Sequence, residues 1–70
     1  MVQKDKEEML KALEEAVQKH GELKAKAELA ANEAVKAADD VKKEKANTEV
    51  VFHTVAIQKI EAIMQGIKDL

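Results

Sequence analysis

The chain has no cysteine, proline, tryptophan or tyrosine, two glycines and a single aromatic side chain, Phe52. Without cysteine there can be no disulfide, thiolate metal site or cysteine nucleophile. Without proline, and with glycine only at Gly21 and Gly66, there are few places where a helix is forced to stop. Arginine and serine are also missing. Thr48 and Thr54 are therefore the only hydroxyl side chains, and no serine triad or glycine-rich phosphate loop can be assembled. These gaps point away from an enzyme.

What remains is mostly Ala, Glu and Lys, with 37% charged residues and a net charge of −2. Composition of this kind belongs to long helices and coiled coils. The charges are mixed in sign, which suits a solvated helix surface and provides no basic patch for nucleic acid. The stretch MVQKDKEEMLKALEE has no apolar run long enough for a signal peptide or a membrane span. These features predict a cytoplasmic protein with no nucleic-acid partner and no membrane association. With 70 residues it is a single domain, residues 1–70, too small to bury much of its surface. Oligomerisation is the remaining way to stabilise it.

Apolar residues recur in alternating steps of four and three through Met9, Leu13, Ala16, His20, Leu23, Ala27, Ala30, Ala34, Ala37 and Val41. That is a heptad seam. It passes Gly21 without a slip, which predicts one continuous helix. A break near Gly21, giving a three-helix bundle, is the alternative. The later residues Ala56, Ile60, Ile63, Ile67 and Leu70 keep the same alternation in a phase shifted by two, so the chain must turn between the two runs. Lys42, Lys43 and Lys45 suit the end of a first helix. Asn47 and Thr48 suit a stop and a new N-cap. The expected fold is thus all-α: an antiparallel helical hairpin with a long helix 1 over about 3–45 and a shorter helix 2 over about 48–69.

At ~1.5 Å per residue the first helix would outrun the second by roughly 30 Å. In this reading Met9, Leu10, Leu13, Ala16, Val17 and His20 stand uncovered. Ile57 and Met64 lie beside the main seam of helix 2. These eight residues form the expected protein interface. Two hairpins covering each other's overhangs would make an antiparallel dimer, and another helical protein could take the same place. Phe52 and Val55 would cover Val41 and the turn.

The two histidines, His20 and His53, both fall on seam positions, where polar residues set register. Protonation of a seam imidazole would weaken the assembly. With His20 placed a full helix segment from His53, the two cannot share an ion, and no metal or cofactor is expected. Acidic neighbours such as Asp39–Asp40 diverge around a helix and are read as solvated. The functional expectation is a non-enzymatic interaction module: an adaptor, co-chaperone or assembly subunit acting through apolar helix faces. The alternative is a purely structural coiled-coil fragment or designed helical bundle with no partner.

Overall fold

A computed structural model describes residues 2–70. It has two helices, α1 (Gln3–Lys36) and α2 (Asp40–Lys68), packed antiparallel as a hairpin with principal extents of 53 × 14 × 11 Å. The first helix is the longer, as the sequence predicts, but by 34 residues to 29 and not by twofold. It runs through Gly21 unbroken, with no glycine at positive φ, so no third helix forms. A Cβ added at Gly21 would meet nothing within 4 Å.

The reversal lies about nine residues earlier than Asn47–Thr48. Ala37 is the C-cap of α1, and Ala38 takes the left-handed conformation at φ 54°. Asp39 N–H donates to the Ala34 carbonyl at 2.9 Å and Ala38 N–H to the Val35 carbonyl at 3.1 Å. These are the two bonds of a Schellman ending, with alanine where glycine is usual. Asp39 then starts α2: its Oδ1 accepts from the Lys42 backbone N–H at 3.0 Å and its carbonyl from Lys43 N–H at 3.0 Å. So Asp39 is a helix cap and not merely a solvated acid. Thr48 caps nothing; it sits within α2 and donates to the Glu44 carbonyl at 2.9 Å. A threonine hydroxyl inside a helix can satisfy itself on the preceding turn in this way, without interrupting it.

The earlier turn changes the register. His20 meets His53, and Lys6 Nζ donates to the Lys68 carbonyl at 3.0 Å. By that register Ala27 lies level with Ala46 and Leu13 with Ile60, so Ile60 packs near the start of α1, where a turn at Asn47–Thr48 would have left α1 uncovered. Helix α2 therefore covers α1 almost to its beginning. Among the described residues there is no overhang.

The packed seam is Leu10, Leu13, Val17, His20, Lys24, Ala27, Ala31 and Ala34 on α1, facing Ala46, Val50, His53, Ile57, Ile60, Met64 and Ile67 on α2; all of these are buried or half-buried. Both rows alternate in steps of three and four, the coiled-coil spacing. Ala27, Ala31, Ala34, Ala46, Met64 and Ile67 form the buried core.

Candidate interaction surface

The seam divides the eight expected interface residues. Leu10, Leu13, Val17 and His20, together with Ile57 and Met64, are used inside the hairpin. The expectation that the four α1 residues stand uncovered fails because the turn comes early, and Ile57 and Met64 lie in the seam of α2 and not beside it. Ala16 is half-buried at the seam's edge, and only Met9 is exposed, at 43%.

Met9 belongs to a different row. One position before alternate seam residues, α1 carries Val2 (just ahead of its first turn), Met9, Ala16, Leu23, Ala30 and Ala37 at intervals of seven. The equivalent row of α2 is Lys42, Glu49, Ala56, Ile63 and Leu70. In an antiparallel pair, rows equivalent in the heptad lie on the same side of the seam. The register places Val2 level with Leu70, Met9 with Ile63, and Ala16 with Ala56. Val2, Met9, Leu23, Ile63 and Leu70 are all exposed.

Phe52, also exposed, lies against this flank. Its ring is 6.3 Å from that of His20 and 5.2 Å from that of His53, edge-on to both. It is thus at mid-length, not over Val41 and the turn. Toward the turn the flank narrows to a shallow groove floored by Ala30, Ala34, Ala37 and Ala46. Charged residues from both helices rim it: Glu33 from α1, and Lys42, Lys45 and Glu49 from α2. The opposite flank is polar. There α1 presents Glu7, Glu14, Gly21 and Glu28, with Val35 last, and α2 presents Asp40, Asn47, Thr54, Glu61 and Lys68.

Other exposed apolar residues, including Leu29, Val41, Val51 and Val55, lie off this flank. They do not form a row spanning both helices. Val51 and Val55 do widen the apolar arc of α2.

The histidines are the one polar pair in the seam. Their Nδ1 atoms are 2.8 Å apart, and the rings are 5.1 Å apart with their planes at 46°. The expectation that His20 and His53 lie too far apart to share an ion is overturned, because it rested on the late turn. A hydrogen bond between two imidazole nitrogens needs one donor and one acceptor, so one Nδ1 carries the proton and the other does not. Two imidazoles fall short of the three or four protein ligands usual around zinc, and among the described residues no group of three or more His, Asp or Glu could hold a metal ion.

No helix among the described residues is long and apolar enough to cross a membrane. The chain matches no protein-family model, and comparison with curated proteins and with solved structures gives no match. The residues that sequence reasoning missed are Leu23, Phe52 and Ile63 as a flank and Val2 and Leu70 at its open end. The signal for them was the seven-residue spacing of Met9, Ala16 and Leu23, which reads equally well as a seam.

Proposed function

We propose that this protein is a non-enzymatic, cytoplasmic protein-protein interaction module, an adaptor or assembly subunit that binds helical partners through the flank of Val2, Met9, Leu23, Phe52, Ile63 and Leu70. The observation that carries the reading is the asymmetry between the two flanks. Large apolar side chains follow one side of the seam over most of its length, while charged and amide side chains follow the other. A contiguous exposed apolar patch rimmed by polar residues marks an interaction site. Helical partners fit because the row repeats every seven residues, the spacing that a facing helix reads.

The test compares immobilised wild-type chain with two variants of equal charge, Met9→Glu/Ile63→Glu on the apolar flank and Gln18→Glu/Gln58→Glu on exposed polar positions. Wild type and the Gln variant are expected to capture the same proteins from a cell extract, with the Met9→Glu/Ile63→Glu chain losing them. Identical recovery by all three would remove the reading.

A further inference from the structure

We infer that the occupant of the apolar flank is a second copy of the chain, joined by a twofold axis along the hairpin so that both turns lie at the same end of a four-helix bundle. This rests on the interaction reading above and names its partner.

The first observation is area. A folded monomer of 7.7 kDa is expected to expose about 4,300 Å². The hairpin exposes 5390 Å². The excess, about 1,000 Å², matches what one partner contributes to a stable interface of ordinary size, about 800 Å². The core is correspondingly thin. Among the described residues no side chain is fully buried, and four of the six buried ones are alanines. Two layers of helix leave each seam covered on one side only, whereas four helices enclose a common core.

The second observation is charge, which chooses the orientation. With the turns together, α1 of one copy lies over α2 of the other at the same level. Val2 then faces Leu70, Met9 faces Ile63 and Leu23 faces Phe52, each twice. Beside the groove Lys26 falls between Lys45 and Glu49, and at its rim Glu33 falls opposite Lys42. With the turns at opposite ends, like helices would face each other. With the helices in full overlap, Lys19 would then meet Lys19 of the other copy, and Asp5 would meet Glu33. Opposite charges across the rim favour the first arrangement, and like charges disfavour the second.

Sedimentation equilibrium of the whole chain tests the partner. The expected mass is twice 7.7 kDa for wild type and for Gln18→Glu/Gln58→Glu. Met9→Glu/Ile63→Glu should weaken self-association by at least about a hundredfold. Circular dichroism at matched concentration reports whether that variant keeps its helices. If it unfolds, the milder Ile63→Ala, which leaves the hairpin seam untouched, must show weaker dimerisation than wild type. A single-chain mass for wild type at concentrations up to about 0.5 mM, where even a weak specific dimer would form, would overturn the inference. In that event, capture of other proteins that depends on the flank would leave the interaction reading standing, and its absence would remove both.

A spin label on Lys36→Cys tests the orientation. Together, the turns place the two labels about 30 Å apart, the diagonal of a four-helix bundle plus two label arms. Opposed turns place them about 45 Å apart or more, at ~1.5 Å of axial rise per residue. The longer distance would overturn the arrangement.

Discussion

The two halves of the hairpin are packed by different means. Near the turn the seam is alanine: Ala27, Ala31 and Ala34 against Ala46, all buried. Toward the open end it is Leu10, Leu13 and Val17 against Ile57, Ile60, Met64 and Ile67, and most of these remain half-exposed. Small side chains bring two helices close enough to exclude water by themselves. Large ones hold the helices apart and reach beyond the width that a single facing helix can cover. The alanine half is therefore self-sufficient as two layers, and the aliphatic half is built for more than two. The exposed residues of the apolar flank continue this division. Met9, Ile63 and Leu70 belong to the open half, and Ala30 and Ala37 to the turn half.

Substitutions that exchange these characters should break the comparison hardest. Ile67→Ala removes a side chain that is 7% exposed and is expected to cost about 3 kcal/mol. Chemical denaturation followed by circular dichroism would measure it. Ala31→Leu forces a large residue into the close half and should cost about 2 kcal/mol by overpacking. The same denaturation series would show it. If Ala31→Leu were neutral, the alanine half would not be closely packed.

Smaller effects sharpen the comparison at the turn and along α1. Asp39→Ala should lose about 1 kcal/mol through the missing cap, while Ala38→Gly should gain about 1 kcal/mol by relieving a left-handed alanine. Gly21→Ala should also gain up to about 1 kcal/mol, because the added methyl meets open space within a continuous helix. A loss there would mean that the helix bends at this point.

The histidine pair separates the halves and gives the smallest expected effect. His53→Leu leaves the His20 Nδ1 without its partner at 2.8 Å and should cost about 0.5 kcal/mol. Thermal melts of both chains at one neutral pH would check it.

The all-helical hairpin, the continuity of α1 through Gly21, and the seam positions Leu13, His20, Ala27 and Ala34 could all be read from the sequence. The other half of the α1 seam could not. Met9, Ala16, Leu23 and Ala30 compete with Leu10, Val17, Lys24 and Ala31 for the same role. The first set is apolar throughout, while the second contains a lysine. Periodicity favours the first set, but the facing helix selects the second. Lys24 is long enough to lay its stem along the seam and keep its ammonium in water. The turn was hidden for a related reason. Ala37–Ala38 looks like helix, and Asn47–Thr48 looks like a stop. Only the carboxylate of Asp39, three residues before the backbone N–H it caps, marked the true position. Misplacing the turn shifted the register, which in turn created the false overhang and separated the histidines.

The bend at Ala38 also affects how far the fold is written locally. Neither Ala37 nor Ala38 objects to a straight helix, and Ala38, at φ 54°, would be more comfortable in one. Reversal of direction is thus imposed by distant side chains closing along the seam, helped by one carboxylate, and not by the peptide at the corner. Weakening the seam next to the turn would therefore loosen the corner with it.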